Sequence, residues 1–341
     1  MKKQRVLVLV HPTLIPPASL RGRSAREIEE WRVEFDVITT LRELRHDVRI
    51  LGVLDSLTGL DAALRDWQPD VVFNLLEEFN GVVSYESHVV AYLELMQQPY
   101  TGCNPRGLML ARDKLLCKQL LFAAGIQTPA FHAIAPGATM RLPAALKFPL
   151  IVKSARDDAS LGIAQDSVVR DPQQCRARVQ FMHRQFGAVA LVEEYIPGRE
   201  LYVAMLGEQR PRTFPVWELQ FGRLPATMSR IATRRIKWDR AYQHRLGIGP
   251  RRATDLPSRV LARIRAAARR AFRALQLSGY ARVDFRLRDD GELFVLEANP
   301  NPNLARIEDF AASAAAAGIR YEQLIDRIVA AGLSHRAEWR D

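Results

Sequence analysis

Short apolar runs alternate with amphipathic segments along the first third of the chain. The apolar runs have the length of buried strands and span residues 5–10, 47–53 and 70–76. Amphipathic helical segments lie between them at 24–44 and 60–67, and Ser24 with Glu27 forms a capping box at the start of the first. Strands and helices alternate in this way in parallel, doubly wound sheets, so we expect an α/β fold here.

The rest of the chain mixes further strands with longer helices. A helix is predicted to end at Gly125, and apolar strand regions follow at 148–155 and 190–207. The second of these regions reads as two strands joined by a Pro-Gly turn. Near the C-terminus a strand pair is predicted at 280–288 and 292–297, around an Asp-Gly turn that suits a hairpin.

Two carboxylates stand where this strand pair should be buried, Asp284 in one strand and Glu297 in the other. Strand side chains alternate between faces, so the hairpin places Asp284 near Glu297, with Asn299 two residues further on the same face. Three hard oxygen donors suit magnesium, whose coordination is usually completed by water and nucleotide phosphates. The alternative is a pair of solvent-exposed carboxylates before an Asn-Pro turn, and spacing alone leaves both interpretations open.

A second set of residues suggests contacts to phosphate. Lys153 ends an apolar strand, where it is either a phosphate ligand or a lysine that reaches solvent at the sheet edge. The polar loop after it contains Ser160 and Gly162, and the backbone N–H groups of such a loop can hold phosphate oxygens. Lys114 lies on a helix, and taken by itself it is better interpreted as a solvated lysine. Glu193 and Glu194 end another strand, where one of them can pair with a cation while the backbone meets a flat ligand.

Composition is typical of a soluble globular protein, with 341 residues, 48% of them hydrophobic and 26% charged. No apolar stretch reaches the roughly 20 residues that span a bilayer. The short apolar run near the N-terminus is better interpreted as a strand than as a signal peptide. Three cysteines, Cys103, Cys117 and Cys175, lack metal-binding spacing, so we expect free thiols and a cytoplasmic protein.

The net charge of +11 raises the question of an anionic partner. The charges are mostly arginines spread along the chain, densest in an amphipathic helix at 260–275, whose arginine face we interpret as solvated. No zinc-finger or RNA-binding motif accompanies them, and basic residues do not alternate with aromatic ones. We therefore expect no specific nucleic-acid partner and no membrane partner.

Six segments, in order along the chain, resemble the ATP-grasp superfamily. They are RDKLLCKQLL, FPLIVKSARDDASLGI, LVEEYIPGRE, IKWD, ARVDF and LEANPNPN. Within the superfamily the chain looks most like the D-alanine–D-alanine ligase group, and the resemblance covers nearly the whole chain. It implies an α/β, ATP-grasp fold of three α/β domains, with ATP between the central and C-terminal domains. The implied domains are an N-terminal doubly wound domain at 1–104, a central subdomain at 105–194 and a C-terminal domain with the magnesium site at 195–341.

The resemblance also implies a role for each matching position. The implied nucleotide contacts are Lys114 and Lys153 at the phosphates and the adenine side, Glu193, Tyr195 and Ile196 at the adenine hinge, Glu200 at the ribose, and Lys237 in a mobile lid. Arg282 matches the arginine that stabilises the reacting centre. With Lys153 and Lys237, it completes the implied catalytic set.

The implied cofactors are ATP and magnesium, with manganese as an alternative. The implied metal ligands are Asp284, Glu297 and Asn299. The implied activity is ATP-dependent carboxylate–amine ligation through an acyl phosphate, acting on small-molecule, amino-acid-like substrates. A homodimer follows by analogy with the family.

The chain departs from the family where the second substrate binds. Asn303 replaces a glycine that D-alanine ligases carry after the metal-binding asparagine, and Glu308 falls near a serine position. Together with Arg306 and Glu77, these residues are candidate contacts to a polar or cationic substrate, or else solvated loop residues. Two other functions are retained as alternatives, a true D-alanine–D-alanine ligase of cell-wall synthesis and a nucleotide-binding protein without catalysis.

Overall fold

The protein is represented by a computed structural model, which describes residues 2–155, 162–208, 210–335 and 337. Its strands form three sheets that follow one another along the chain. The first sheet is parallel, has the order β2-β1-β3, and consists of β1 (Arg5–Val10), β2 (Asp47–Gly52) and β3 (Val71–Asn74). The parallel sheet predicted from the strand–helix alternation is confirmed.

Four helices accompany this sheet. They are α1 (Ala25–Glu30), α2 (Arg32–Glu43), α3 (Thr58–Ala62) and α4 (Glu86–Leu95). The predicted capping box is present, because Ser24 accepts from the Glu27 amide and the Glu27 side chain accepts from the Ser24 amide. The single helix predicted at 24–44 is divided at Trp31, whose backbone leaves helical geometry while its indole donates to the Thr13 carbonyl at 3.1 Å.

A second helix predicted as continuous is also divided into two in the structure. The predicted helix before Gly125 consists of α5 (Pro105–Arg112) and α6 (Lys114–Ala123). Asp113 separates them because its carboxylate accepts hydrogen bonds from the amides of Leu115 and Leu116 and so starts a new helix.

The second sheet is antiparallel. It has the order β4-β7-β5-β6 and consists of β4 (Phe131–Ile134), β5 (Leu150–Ser154), β6 (Val168–Val169) and β7 (Ala190–Glu194). Helix α7 (Pro172–Phe186) packs on it and buries Val179 and Met182 against strand residues that include Val152 and Val192. The predicted strands near 148–155 and 190–194 are therefore neighbours in one sheet.

The third sheet has six strands and the order β11-β10-β8-β12-β13, with β9 beside β8. Its strands are β8 (Arg199–Leu206), β9 (Arg212–Thr213), β10 (Trp217–Gln220), β11 (Gly249–Arg252), β12 (Tyr280–Leu287) and β13 (Leu293–Pro300). The remaining helices are α8 (Arg234–Trp238), α9 (Arg240–Leu246), α10 (Ser258–Ala274), α11 (Asp309–Ala316) and α12 (Tyr321–Ser334). The predicted hairpin of β12 and β13 is confirmed.

Two connections place the second and third sheets beside each other. Pro197 and Gly198 carry the chain from β7 in one sheet to β8 in the other. Gly198 has φ +116°, and a Cβ there would lie 2.2 Å from the Leu287 carbonyl oxygen, so the turn requires glycine. Helices α5 and α6 contact β13, although the implied domain boundaries group them with the second sheet. Those boundaries remain a prediction.

The three cysteines are buried, unpaired thiols. Helix α10 turns Ile264, Ala268 and Phe272 inward. Its Arg263 and Arg270 are exposed, whereas the partly buried Arg269 donates to Thr213 Oγ1 at 3.1 Å. Across the described ranges, no helix combines the length and the apolar character needed to cross a bilayer.

Candidate functional site

Charged side chains collect on one face of the third sheet, where β8, β12 and β13 lie side by side. Asp284 is the direct partner of Glu297, and Arg282 is the direct partner of Asn299 across the β12–β13 ladder. Opposed residues of an antiparallel pair share a face, so these four side chains project together. The sheet therefore brings together the three predicted metal ligands and the predicted catalytic arginine.

Arg282 and Asp284 form a two-pronged ion pair. Arg282 Nε donates to Asp284 Oδ1 at 2.7 Å and Nη2 donates to Oδ2 at 2.8 Å. The Asn299 amide donates to the same Oδ2 at 3.1 Å. Burial alone would lower the pKa of Arg282, but the facing Asp284 carboxylate outweighs burial and raises it, so the guanidinium is fixed in its charged form.

Glu297 is surrounded by positive charge. Burial would raise the pKa of its carboxyl, but Lys114, Lys237 and Lys153 outweigh burial and lower it. A cavity of about 30 Å³ lies beside this carboxylate and is lined in part by Lys114 and Asn299. The three predicted lysines and Glu297 thus act on one another in a single site.

The donor set at this site is all oxygen. In the described part of the chain, no three His, Cys, Asp or Glu side chains are grouped so that they could hold a metal ion. A metal here would therefore depend on Asn299 as a third donor beside Asp284 and Glu297, which lie as neighbours on one face. Two carboxylates and an amide oxygen are the ligand types that magnesium prefers.

A buried ion triad lies next to this face. Glu193, at the end of β7, is 3.1 Å from Lys118 Nζ and 2.9 Å from Lys153 Nζ. Burial lowers the pKa of Lys118, whereas Glu193 and Glu297 together outweigh burial at Lys153 and raise its pKa. The Lys153 ammonium group is therefore held by the buried Glu193 carboxylate and does not extend to solvent. Lys153 remains a candidate phosphate ligand.

Sequence reasoning missed Lys118. It follows Lys114 by four residues and so lies on the same side of α6, one turn further on. That spacing was the only signal, because nothing local shows that Glu193, far along the chain, comes between Lys118 and Lys153. The amide of Lys114 also donates to the Ala155 carbonyl at 3.0 Å, which fixes the start of α6 against the end of β5.

Glu200, the predicted ribose ligand, is held by Arg286. The two are cross-strand partners on β8 and β12, and Arg286 Nη2 donates to Glu200 Oε2 at 2.7 Å. Arg286 also donates to the carbonyls of Gly198 and Arg230. Burial raises the pKa of Glu200, and Arg286 opposes that rise. The alternation of β12 placed Arg286 on this face from sequence, but its partners are long-range contacts.

Lys237, the predicted lid lysine, lies on the short helix α8. Thr233 begins this helix by accepting from the Ile236 amide, and the Arg234 amide donates to the Ile163 carbonyl at 3.2 Å. Lys237 acts electrostatically on Glu200 and on Glu297. The segment that carries it therefore lies over the same face of the third sheet.

The structure describes the predicted hinge and part of the predicted phosphate loop. The Tyr195 amide donates to the Pro149 carbonyl. Ile196, which lies between β7 and β8 in the sequence, is buried. Gly162 has φ +71°, and its carbonyl accepts from Arg178. Ser160 lies outside the described residues. The nucleotide roles of these four residues remain predictions.

The four candidate substrate residues have partners within the fold. Asn303 Oδ1 accepts from the Ala305 amide at 2.8 Å, which closes a local turn. Arg306 donates to Glu322 at 2.7 Å and to Thr40 at 2.8 Å, so it joins α12 to α2. Asn303 and Arg306 therefore stabilise the fold through these contacts. Their substrate roles remain predictions.

The two acidic candidates lie in charged surroundings. Glu308 accepts from Arg240 at 3.1 Å, and Arg240 also reaches Glu29 of α1 at 3.0 Å. Glu77 acts on two buried carboxyls, and burial together with its charge raises the pKa of Glu34 to about 7 and raises that of Glu86. Glu77, Glu34 and Glu86 thus form an acidic region among the helices beside the first sheet.

Comparison with known proteins places these features in a family. Residues 120–330 match the family described as D-ala D-ala ligase C-terminus. The chain is 32% identical over 276 residues to a D-alanine–D-alanine ligase A of Mesorhizobium japonicum, covering 79% of this chain and 74% of that protein. It is 33% identical over 315 residues to the uncharacterized protein y4sG of Sinorhizobium fredii, covering 90% of this chain and 88% of that protein.

A solved structure shares the whole fold. The D-alanine–D-alanine ligase from Bacillus anthracis complexed with ATP superposes with a TM-score of 0.73 at 21% identity, covering 97% of each chain. The three-sheet arrangement of this chain is thus the ATP-grasp fold, as the sequence resemblance implied.

Proposed function

We propose that this chain, which belongs to the D-alanine–D-alanine ligase family of ATP-dependent ligases that form C–N bonds, joins the carboxylate of one amino-acid-like substrate to the amine of another. One observation carries the proposal. Arg282, Asp284, Glu297 and Asn299 share a face of the third sheet. The positive charges of Lys114, Lys237 and Lys153 act on Glu297 at that face. This is the arrangement that transfer of a phosphoryl group between bound oxygens requires.

We place ATP between the second and third sheets. Lys114 and Lys153 would neutralise its phosphates, and Glu200, fixed by Arg286, would accept from a ribose hydroxyl. The turn from β7 to β8 would hold the adenine with Tyr195 and Ile196. Lys237 would close over the phosphates from α8. Lys114, Lys153 and Lys237 act electrostatically on Glu297 and support this placement.

The donors at this face fit magnesium. Asp284, Glu297 and Asn299 would hold the ion, and a bound divalent cation supplies positive charge that offsets the phosphate oxygens during transfer. Manganese has similar ligand preferences and would also fit.

The chain's own residues would carry the reaction in two stages. The first substrate's carboxylate oxygen attacks the γ-phosphorus, ADP leaves, and an acyl phosphate forms while Lys153 and Lys237 neutralise the transferring group. The second substrate's amine then attacks the acyl carbon, inorganic phosphate leaves, and the amine loses a proton to give the amide. Arg282 would stabilise the oxyanion of the tetrahedral intermediate. Closure of the α8 segment would exclude water, which would otherwise hydrolyse the acyl phosphate.

The substrate is a small amino acid or peptide-like compound in this proposal, with a polar or cationic group. The support is the acidic region around Glu77, together with Glu308 at a position where the family carries serine. A D-alanine–D-alanine ligase is the second candidate, because relatives with that name share about a third of the residues over most of their length. By analogy with the family we also propose a homodimer, in the cytoplasm, where the three buried thiols stay reduced.

Product analysis tests the function. Purified protein is incubated with ATP and magnesium and with D- and L-amino acids, singly and in pairs, and amide products are detected by mass spectrometry. A product that needs a defined pair and ATP supports the proposal and names both substrates. D-Ala-D-Ala as the main product would favour the second candidate. ATP binding without any amide from amino acids, peptides or other carboxylate–amine pairs would favour a nucleotide-binding protein without catalysis.

A further inference from the structure

Both carboxylate oxygens of Asp284 are engaged by one arginine. Arg282 Nε and Nη2 donate to Oδ1 and Oδ2 at 2.7 and 2.8 Å, the paired geometry in which guanidinium binds carboxylate most strongly. Asp284 is also one of three donors that would hold a divalent cation. A cation chelated by both oxygens would occupy the edge of the carboxylate that the guanidinium holds in this structure, so one would displace the other.

A second carboxylate, that of Asp309, lies on the other side of the Arg282 guanidinium. Asp309 Oδ2 lies 3.9 Å from Arg282 Nη1, the nitrogen that Asp284 does not use. Asp309 is the first residue of α11; burial raises the pKa of its carboxyl, and the Arg282 guanidinium opposes that rise. The Arg282 guanidinium also lies over the Tyr202 ring, 5.4 Å from its centre, so the ring forms a surface across which it can shift.

We propose that Asp309 is a positioning residue that takes over the Arg282 guanidinium when a divalent cation takes Asp284. The exchange keeps the arginine paired, and its charge stays beside the reacting centre, where it would face the tetrahedral intermediate. The inference rests on the metal site of the proposed function. It concerns a residue that lies outside both the implied metal ligands and the implied catalytic set.

The exchange has a measurable consequence for metal binding. Without Asp309, a cation that takes Asp284 leaves the buried guanidinium without a carboxylate, which makes metal binding less favourable. Nucleotide binding in the absence of metal should not change, because Arg282 keeps Asp284 in that state. The expected effect is therefore confined to the metal dependence.

The test uses the whole protein and a fluorescent ATP analogue, with no amino acid present. Binding of the analogue is titrated with magnesium chloride for the wild type, Asp309→Asn and a matched control, Asp255→Asn. The control also removes an aspartate beside an arginine, here one that accepts two hydrogen bonds from Arg199 at 2.8 and 2.9 Å away from the site. We expect the half-saturating magnesium concentration to rise about tenfold in Asp309→Asn, a change of about 1.4 kcal/mol. The control should stay within about twofold of the wild type, the margin we assign to loss of a surface pair.

A double substitution separates positioning from general damage. In an Arg282→Met background, Asp309→Asn should no longer change the magnesium dependence, because Asp309 acts through Arg282. If Asp309→Asn does not fold, Asp309→Ser, which also suits a helix start, replaces it throughout.

The outcomes are distinct. An unchanged magnesium dependence in Asp309→Asn, or an equal rise in both arginine backgrounds, would overturn the inference and leave the proposed function intact. Wild-type nucleotide binding that ignores magnesium altogether would instead remove the proposed metal site, and this inference with it.

Discussion

Asp284 and Glu297 face each other across the β12–β13 ladder, and different cations compensate each of them. Asp284 is paired with Arg282 on its own strand, whereas Glu297 lies in the field of Lys114, Lys237 and Lys153 from other elements. Two carboxylates side by side repel unless positive charge offsets them. The repulsion between the two carboxylates is therefore offset by the lysines that would bind phosphate and by the arginine that would bind an oxyanion.

Lys153 is predicted to contribute directly to nucleotide affinity. Replacing it by methionine keeps much of the side-chain volume and removes the charge that Glu193 and Glu297 hold in place. We expect the affinity for ATP to fall by about tenfold or more, as for loss of a charge-assisted contact. Calorimetric titration measures it, with the exposed Lys147→Met as the control. Equal ATP affinities in the two variants would remove Lys153 from the phosphate site.

Arg286 is predicted to stabilise the fold through Glu200. In Arg286→Met the Glu200 carboxylate loses its buried partner, and the free energy of unfolding should fall by about 3–5 kcal/mol. Glu200→Gln in the same chain should recover much of this loss, because a neutral amide needs no counter-charge. Urea denaturation of the four proteins of this double-mutant cycle gives the coupling. Additive losses would show that Arg286 acts through its bonds to the Gly198 and Arg230 carbonyls instead.

His335 is predicted to make stability depend on pH. Burial alone would lower the pKa of its imidazole, but the hydrogen bond with Glu208 and the nearby Glu94 carboxylate outweigh burial and raise the pKa to about 9. The folded state therefore binds a proton more tightly than the unfolded chain. The stabilisation, about 3 kcal/mol, is fully present below about pH 6.5 and is lost as pH rises through about 9. Thermal unfolding from pH 6 to 10 should show this loss in the wild type and not in His335→Gln.

Glu34 is predicted to have the opposite character, a carboxyl that destabilises the fold when it ionises. It is 5% exposed, and burial first and Glu77 second raise its pKa to about 7. Because the folded state holds the proton more tightly, stability falls as pH rises from about 4.5 to about 7.

The matching substitution is Glu34→Gln, which keeps the shape and removes the charge. At pH 8 it should raise the free energy of unfolding by about 3 kcal/mol, and at pH 4 by much less. Denaturation at the two pH values measures the difference. An equal change at both would mean that Glu34 stays protonated or is already compensated.

The strand pair was predictable because its information is local. The Asp-Gly turn predicts that β12 and β13 pair, but its register alone would set Asp284 opposite Leu296. A bulge between Asp284 and Phe285 shifts the pairing by one residue and brings Glu297 opposite Asp284. The Glu193–Lys118–Lys153 triad was not predictable, because its members come from α6, β5 and β7 and meet only when β5 pairs with β7 and α6 packs against that sheet.

The helix divisions show the same limit. Asp113 is a helix-starting residue that could have been recognised from sequence, since it directly precedes the helix it begins. The division at Trp31 depends on a hydrogen bond to the Thr13 carbonyl, 18 residues away, and has no local signature.

Phosphate release by the wild type and by Glu297→Gln, with magnesium-ATP and the substrate pair found by product analysis, tests the central claim most directly. If the β12–β13 face transfers phosphoryl groups, the wild type releases phosphate only with substrate present, and Glu297→Gln releases almost none while remaining folded. Normal turnover by a folded Glu297→Gln protein would contradict the claim, because the reaction would then not depend on the carboxylate at the centre of that face.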